Sequence, residues 1–442
     1  MNIAFLGIGG GYGARGMEEL VSQNIVALCD VDWRTREQQH SQFAPAIEVA
    51  QRYPKARRFD DWRKMLEEMD KNIDAILICT PDHAHAVAAI TAMKMGKHVF
   101  CEKPLANSID DVRAIMAAER KYKVATQTGV QGHASEDLRS IVEWVRDGAI
   151  GDVKEVHLFE GAHPPQPAGS APARPAGSHS TYDSIAHIND EIPVPPEVKW
   201  DLWLGPAKYR PYNPMYLPIR WRGWVDFGTG ILGDHGPHFI DPVFWALDLG
   251  FPETIEAETD AEYDPEKNTQ TYPRMSIVKF TFPAREKMPA VAVTWHANHM
   301  PPLPSYVKAD DKFPSGGGMM VGSCGTILYS PMYKSNPGAP LPGQVRLLPE
   351  ELDKSYKRPD KTIFRPSSHW LEWVDCARAG KQPSADFAYG GVVTQIALLG
   401  DLAIRNKGKL LRYDAEAGRF TNCDAANQAF SHVSRPGWGL PG

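Results

Sequence analysis

Short apolar runs that alternate with helical patterns over the first 130 residues constrain the fold of this chain more than any other feature. Each run is apolar throughout, as expected for strands that are covered on both faces of a sheet. Alternation of strands and helices at this spacing predicts a doubly wound parallel sheet of the Rossmann type. The predicted strands are residues 3–6, 25–29, 75–79, 98–101 and 124–128. The predicted helices are residues 17–21, 34–52, 84–95 and 112–122.

The pattern changes after residue 129, which predicts a first domain of residues 1–129 and a second domain of residues 130–442. Strand patterns outnumber helical ones in the second part, so we expect an α+β domain with a large open, mostly antiparallel sheet. Its predicted strands are residues 153–159, 254–259, 277–282, 290–295 and 326–329. Its predicted helices are residues 136–146, 238–247, 370–379 and 392–405.

Composition excludes several classes of partner. The net charge is -6 and no basic stripe is visible, so we expect no nucleic-acid partner. Six cysteines without a CxxC pair indicate reduced thiols and a cytoplasmic location. A strand follows Met1 at once, and no uninterrupted apolar run reaches membrane-spanning length, so we expect neither a leader nor a membrane partner.

The first predicted strand runs into a glycine-rich turn that precedes a helix. In such a turn the backbone can approach a pyrophosphate and present N–H groups to it. Asp30 ends the second strand twenty-three positions after Gly7, close to the spacing of an acid that binds ribose hydroxyls. A carboxylate there disfavours a 2′-phosphate, so NAD is favoured over NADP, although Arg34 and Arg36 keep NADP open. The predicted contacts in the turn are Gly7, Gly9, Gly11, Tyr12 and Gly13.

Two further strand ends reach the same edge of the predicted sheet. One is followed by Thr80 and Pro81 and then by His83 and His85, and the two imidazoles could contact the cofactor or cap the next helix. The other is followed by Glu102, Lys103 and Pro104. A lysine at this edge indicates a chemical site, the alternative being a solvated Glu–Lys pair. Gln131, just beyond the last strand, completes the predicted cofactor contacts.

In the second part, Asp234 and His238 lie four residues apart at the start of a predicted helix, on one face. An imidazole suits proton transfer near neutral pH, and a carboxylate one turn away can orient it or hold a substrate hydroxyl. The alternatives are a helix cap with a core histidine, and a metal site that would use Asp234, His235 and His238. The metal site lacks an HExxH pattern or a cysteine cluster, so we predict no metal.

These motifs together resemble the glucose–fructose oxidoreductase, inositol dehydrogenase and MocA family (Gfo/Idh/MocA) of nicotinamide-dependent sugar and polyol oxidoreductases. The resemblance spans nearly the whole chain: the glycine turn, Asp30, Cys79-Thr80-Pro81, residues 96–106 and the Asp234–His238 pair. It implies that Glu102 binds the nicotinamide-side ribose, that Lys103 reaches cofactor and substrate, and that the Lys103–Pro104 bond is cis. It also implies that His238 is the general base, that Asp234 holds substrate or base, and that the protein is a homodimer or homotetramer.

Three departures from the family pattern affect the site. The glycine turn is one residue longer, leaving Gly11, Tyr12 and Gly13 as alternatives for the pyrophosphate contact. Asp82 replaces a frequent asparagine, and His235 replaces a frequent apolar residue. The segment 161–196 has eight prolines, and we expect it to shape the substrate pocket or a subunit contact.

The sequence favours an NAD-dependent dehydrogenase of the EC 1.1.1 type that oxidises a secondary hydroxyl of a sugar, glycoside or polyol. A second hypothesis is a glycoside-cleaving enzyme that recycles NAD through a transient keto-sugar, with Asp82, His235, Tyr182 and Tyr212 as extra acid–base groups. A third is a dinucleotide-sensing regulator. Three tryptophans could stack on a sugar ring or lie in the core: Trp221, Trp224 and Trp295.

Overall fold

A computed structural model of the chain describes residues 1–10, 12–41, 43–162, 190, 192–286, 288–308, 313–330 and 345–442. Its first sheet has six parallel strands in the order β3-β2-β1-β4-β5-β6. The strands are β1 (Asn2–Leu6), β2 (Asn24–Cys29), β3 (Arg57–Phe59), β4 (Ala75–Ile78), β5 (His98–Cys101) and β6 (Thr126–Thr128). The first helices are α1 (Tyr12–Glu19), α2 (Arg36–Gln39), α3 (Ala46–Gln51), α4 (Trp62–Met69), α5 (His85–Lys94), α6 (Ile109–Tyr122) and α7 (Glu136–Arg146).

A second, nine-stranded sheet has the order β13-β12-β11-β7-β10-β9-β8-β14-β15. Its pairs are antiparallel except for β7 with β10. The strands are β7 (Val153–Glu160), β8 (Thr254–Thr259), β9 (Ser276–Phe282), β10 (Val291–Ala297), β11 (Gly316–Gly322), β12 (Thr326–Tyr329), β13 (Val345–Leu348), β14 (Leu411–Asp414) and β15 (Arg419–Phe420). The remaining helices are α8 (Trp200–Leu204), α9 (Gly230–Ala246), α10 (Glu350–Ser355), α11 (His369–Ala379), α12 (Phe387–Arg405) and α13 (Asp424–Gln428). The predicted fold class is confirmed.

The helix predicted at residues 34–52 is wrong. Pro45 has no N–H to donate and stands at the N-cap of α3, while His40 ends α2 in the left-handed conformation. The chain therefore forms two short helices, α2 and α3, separated by a loop. The helix predicted to begin at His238 starts two turns earlier, at Gly230, so Asp234 and His238 lie inside it.

One helix from the second half of the chain covers the first sheet. Trp370 and Trp373 of α11 pack against Phe100 of β5, with ring centroids 6.1 and 5.7 Å apart. The apolar core beneath this face is shared by the two parts of the sequence. The sheet edge that carries the glycine turn is thus supported by residues more than 250 positions away in the chain.

Among the described residues, α12 is the helix that is long and apolar enough to cross a membrane. Most of it is buried inside the protein, where it packs on α6 and α9 as a core helix. All six cysteines are free thiols, as predicted; the cytoplasmic location stays a prediction.

Candidate active site

The turn between β1 and α1 brings the backbone against the end of β4. Gly7 has a φ of 78°, and a Cβ there would lie 2.6 Å from the carbonyl oxygen of Cys79, so the position requires glycine. A Cβ at Gly13 would lie 2.3 Å from the Gly7 carbonyl oxygen. Gly11 and the Tyr12 side chain lie outside the described residues, so the choice of pyrophosphate contact stays a prediction.

Gly7, Gly9 and Gly10 line a cleft of about 1000 Å³, counting its solvent-filled mouth. Thr80 also lines it, and its buried hydroxyl has no hydrogen-bond partner among the described residues. A bare backbone turn at a helix N-terminus and an unused hydroxyl provide donors for phosphate and ribose oxygens. The residues present therefore fit a dinucleotide.

Asp30 lies at the end of β2, beside the turn. Its Oδ2 accepts the backbone N–H groups of Ile8 and Gly9, both at 2.9 Å, and its Oδ1 accepts that of Val31 at 2.8 Å. Burial raises the pKa of Asp30 to about 6, against the lowering effect of these backbone hydrogen bonds. The carboxylate is thereby held at the position from which an acid binds the adenosine ribose.

Arg34 and Arg36, whose positive charges left NADP binding possible in the sequence analysis, both pair with carboxylates of the protein. Arg34 is buried and donates to Asp32 at 2.8 and 2.6 Å and to the Tyr212 hydroxyl at 3.2 Å. Arg36 forms an ion pair with Glu48 at 2.6 Å. Further carboxylates line this end of the cleft: Asp32, Asp60 and Asp61. A 2′-phosphate would meet negative charge here, so the residues fit NAD.

Lys103 and Asp234 meet across the two domains. The Lys103 ammonium donates to the Asp234 carbonyl oxygen at 2.8 Å and contacts its carboxylate oxygen Oδ1. Arg222 Nε donates to the other carboxylate oxygen at 2.9 Å. Lys103 and Asp234 are 6% and 2% exposed, so the ion pair is shielded from solvent. The Lys103–Pro104 bond is cis, as predicted.

His238 lies one turn beyond Asp234 on α9 and is buried. Burial lowers the pKa of His238 well below 6.5, and the positive charge of Lys103 adds to the effect. The imidazole is therefore neutral at neutral pH and able to accept a proton.

Glu102, which is buried, and Gln131, which is half-buried, form a second pair near Lys103. Gln131 Nε2 donates to Glu102 Oε1 at 2.7 Å. A Cβ at Gly129 would lie 2.4 Å from Glu102 Oε2, so the glycine makes room for the carboxylate. Burial raises the pKa of Glu102 to about 7, although the charge of Lys103 opposes the shift. Their predicted contact with the cofactor stays a prediction.

His83 joins the two domains. Its ring nitrogens contact the backbone carbonyl oxygens of Phe227 at 3.3 Å and Trp203 at 3.1 Å. The ring also packs against both aromatic side chains, with centroids 5.2 and 5.4 Å away. Both ring nitrogens thus face carbonyl oxygens of the protein, and the predicted cofactor contact of His83 stays a prediction.

His85 holds two loops of the site together. Its Nδ1 lies 2.9 Å from the Pro104 carbonyl oxygen and its Nε2 lies 2.8 Å from that of Thr80. His85 thus bridges the loop after β4 and the loop after β5, and its predicted cofactor contact stays a prediction. It supports Lys103 from behind and does not line the cleft.

Asp82 adds a second carboxyl group beside Asp234. The Thr229 hydroxyl donates to Asp82 Oδ2 at 2.9 Å. Burial, followed by the negative charge of Asp234, raises the pKa of Asp82 to about 8. Asp82 therefore carries a proton at neutral pH. Burial also raises the pKa of Asp401, whose Oδ2 would lie 2.9 Å from a Cβ at Gly233.

His235 lies at the outer side of the Asp234 pair. Its Nδ1 is 3.5 Å from Glu160 Oε1, and its Nε2 is 3.8 Å from Asp234 Oδ2. Within the described part of the chain, no three His, Cys, Asp or Glu side chains form a group suited to a metal ion. Asp234 is instead committed to Lys103 and Arg222.

The aromatic candidates divide between cleft and core. Trp221 lines the cleft, and the guanidinium of Arg222 lies 4.3 Å from its ring centroid. Trp224 and Trp295 are fully buried, so of the two alternatives given above these side chains follow the core one. Tyr182 and most of segment 161–196 lie outside the described residues. Tyr212 accepts from Arg34, away from Lys103.

Three residues of the site were not predicted from the sequence: Arg222, Thr229 and Asp401. Arg222 could have been found from its position between two tryptophans in the sequence. A guanidinium in such apolar surroundings is largely shielded from water and needs a carboxylate partner. Thr229 immediately precedes α9, where a hydroxyl is common. Asp401 interrupts an apolar helix, and buried acids inside such helices mark special environments.

A Rossmann sheet with a dinucleotide cleft, next to a buried Lys–Asp pair that joins it to a second domain, defines a two-domain protein of the dinucleotide-dependent oxidoreductase class. The chain belongs to the Gfo/Idh/MocA oxidoreductase family. Residues 1–130 match the family's NAD-binding Rossmann fold, and residues 182–282 match its C-terminal alpha/beta domain. The predicted family and the NAD-binding domain are confirmed; the domain boundary at 129 stays a prediction.

Two curated relatives match over part of the chain. The levoglucosan dehydrogenase of Pseudarthrobacter phenanthrenivorans is 31% identical over 24% of this chain and 27% of its own length. The myo-inositol 2-dehydrogenase of Thermotoga maritima is 29% identical over 34% of this chain and 42% of its own length. The chain thus spans less than half the length of these relatives.

Solved structures match over nearly the whole fold. The myo-inositol 2-dehydrogenase of Lactobacillus plantarum superposes with a TM-score of 0.57 at 17% identity. The superposition covers 94% of this chain and 99% of that one. At this identity the likeness shows the shared two-domain architecture.

Proposed function

We propose that the protein is an NAD-dependent oxidoreductase that transfers a hydride between nicotinamide and a secondary hydroxyl of a sugar, glycoside or polyol. The observation that carries this proposal is the buried Lys103–Asp234 pair, with His238 one turn away, beside a cleft that fits a dinucleotide. The names of the relatives, which are sugar and inositol dehydrogenases, support the substrate class. They give no support to redox-neutral cleavage or to a sensor.

The residues of the site divide the work of proton transfer. Lys103 is held by Asp234 as a charged donor, so its ammonium can hydrogen-bond the substrate oxygen and stabilise developing negative charge there. Neutral His238 accepts the hydroxyl proton at its imidazole as the carbinol is oxidised. When bound, NAD supplies the hydride acceptor.

The second carboxyl group and Arg222 keep this arrangement in place. Arg222 donates to the Asp234 oxygen that Lys103 leaves, so both carboxylate oxygens have a cationic partner in this buried position. Protonated Asp82 adds no further charge and orients Thr229 at the start of α9. A polyhydroxylated ring could hydrogen-bond to His235 and Glu160, which are partly exposed. Its flat apolar face could pack against Trp221 in the wall of the cleft.

The test is a panel of polyols, free sugars and glycosides incubated with NAD⁺. We expect reduced nicotinamide to accumulate one-for-one with a keto product for at least one compound of the panel. A matched control is Lys97→Ala, which removes a lysine at the opposite end of β5, where it pairs with Asp70 at 2.8 Å. Release of an aglycone without reduced nicotinamide, or no turnover with any compound, would contradict the proposal.

A further inference from the structure

The last twelve residues of the sequence, 431–442, cross the junction of the two domains; we call this segment the strap. Arg435 anchors it to α8 and the turn that follows. Its guanidinium donates to Asp201 Oδ1 at 2.6 Å, to the Asp201 carbonyl oxygen at 2.7 Å and to the Gly205 carbonyl oxygen at 2.9 Å. The backbone N–H of Arg435 donates to the Pro206 carbonyl oxygen at 3.0 Å. Four hydrogen bonds thus fix the position of the strap.

The strap delivers Trp438 to the first domain. The Trp438 indole is 5% exposed and contacts Trp62 at the start of α4, with ring centroids 6.4 Å apart at 58°. The guanidinium of Arg63 lies 4.0 Å from its ring centroid. Trp438 and Trp62 also line the cleft that Gly7 and Asp30 line. A residue from the end of the sequence is therefore part of the wall of the dinucleotide cleft.

The order of strands places this wall on the adenosine side. The glycine turn after β1 marks the pyrophosphate position, and Asp30 after β2 marks the adenosine ribose. Trp62 follows β3, the strand beyond β2 at the edge of the sheet. Lys103 follows β5, on the other side of β1. Trp62 and Trp438 are thus separated from the reacting end by the pyrophosphate position.

We propose that Trp62 and Trp438 form an aromatic wall of the adenosine subsite, which makes the strap part of the cofactor-binding site. A purine base has two flat apolar faces, and aromatic side chains bind such faces without requiring a base-specific hydrogen bond. Arg63 over the outer face of Trp438 holds the indole plane in position. The inference concerns cofactor binding alone and stands whether or not the substrate is a sugar.

The experiment compares two ligands that occupy different parts of the dinucleotide cleft. ADP-ribose carries the adenine, both ribose groups and the pyrophosphate; nicotinamide mononucleotide lacks the adenosine half. Dissociation constants of both are measured by equilibrium titration on wild type, Trp438→Ala and Arg435→Gln. The matched control is Trp144→Ala, a half-buried tryptophan on α7 whose ring has an arginine, Arg358, 5.1 Å from its centroid.

We expect Trp438→Ala to raise the dissociation constant of ADP-ribose about tenfold or more, while that of nicotinamide mononucleotide changes by less than about twofold. Arg435→Gln keeps the Trp438 indole but removes the guanidinium hydrogen bonds that fix the strap, so we expect a smaller loss of ADP-ribose affinity. Trp144→Ala should change neither. Unchanged ADP-ribose affinity in Trp438→Ala would overturn the proposal. Equal weakening of both ligands would overturn it as well, because it would show that the strap acts on domain packing.

Discussion

The Thr229 hydroxyl donates to the Asp82 carboxyl group at 2.9 Å and thereby links the loop after β4 to the start of α9. Asp82 belongs to the dinucleotide-binding half, whereas Thr229 immediately precedes the helix that carries Asp234 and His238. The reacting groups of the second domain are therefore positioned from the cofactor side. The Thr229 hydroxyl opposes the rise in the pKa of Asp82, which burial causes.

Asp82→Asn should leave turnover intact near neutral pH, because asparagine resembles the protonated acid in shape and charge. The raised folded-state pKa, about 8 against an ordinary 3.8, means that the folded protein binds a proton that the unfolded chain releases. The contribution of Asp82 to stability should therefore fall as pH rises from about 4 to 8, by up to about 1.4 kcal/mol per pH unit. The variant should lack this contribution, while Asp30, Glu102 and His238 keep theirs, so the stability of wild type relative to the variant should fall across this range. Melting temperatures across this range check it, and parallel curves for both proteins would contradict it.

Lys103→Ala should abolish turnover while the fold is retained. Asp234 keeps Arg222 as a partner, so the buried carboxylate is not left without a counter-charge. We expect kcat to fall by about 10²–10⁴-fold, the range for loss of a group that assists proton transfer. Lys97→Ala is the control, since it removes a buried lysine at the opposite end of β5. A fully active Lys103→Ala protein would show that the pair has only a structural role.

His238→Gln should lower kcat/KM by a similar factor and remove the acidic limb of the pH profile. Because the pKa of His238 lies well below 6.5, wild-type activity should stay constant as pH falls through 6.5 and decline only under more acidic conditions. His235→Gln, one turn away in sequence but facing Glu160, should leave the profile in place. If His235→Gln and not His238→Gln removes the limb, the assignment of the base is wrong.

Asp30→Asn should reduce the preference for NAD over NADP by about tenfold or more. The carboxylate at this position accepts hydrogen bonds from the ribose hydroxyls of NAD and repels the 2′-phosphate of NADP. Binding constants for both dinucleotides give the ratio. Asp60→Asn serves as the comparison: this carboxylate lines the same end of the cleft but accepts the Trp33 indole N–H at 2.8 Å. An equal change in the two variants would argue against a specific ribose contact for Asp30.

The first domain could be predicted from the sequence because its signals are local. Apolar strands, the glycine turn and the acid after β2 lie close together in sequence, and each demands a particular backbone geometry. The short strand β3 was missed, since two of its three residues are exposed arginines. The glycine-rich strand β11 was missed for a tertiary reason: a Cβ at Gly318 would lie 2.1 Å from the Tyr329 hydroxyl, so the glycines follow from the neighbouring strand.

The site could be predicted in its chemistry but not in its contacts. Lys103, Asp234 and His238 were recognisable by residue type and spacing, whereas Arg222 and Trp438 reach the cleft through tertiary packing. The histidines at positions 83 and 85 show the reverse case. A histidine at a sheet edge suggests ligand binding, yet both side chains contact backbone carbonyl oxygens that only the folded chain brings near.

The proposed function requires that hydride leave a secondary carbinol carbon for nicotinamide beside Lys103. An accepted substrate that carries deuterium on the carbinol carbon, followed by mass spectrometry of the reduced cofactor, measures this transfer. We predict one deuterium in each molecule of reduced nicotinamide formed by wild type, and formation of labelled cofactor at least about 100-fold slower with Lys103→Ala. Product that forms while the reduced cofactor carries no deuterium would contradict the proposed function.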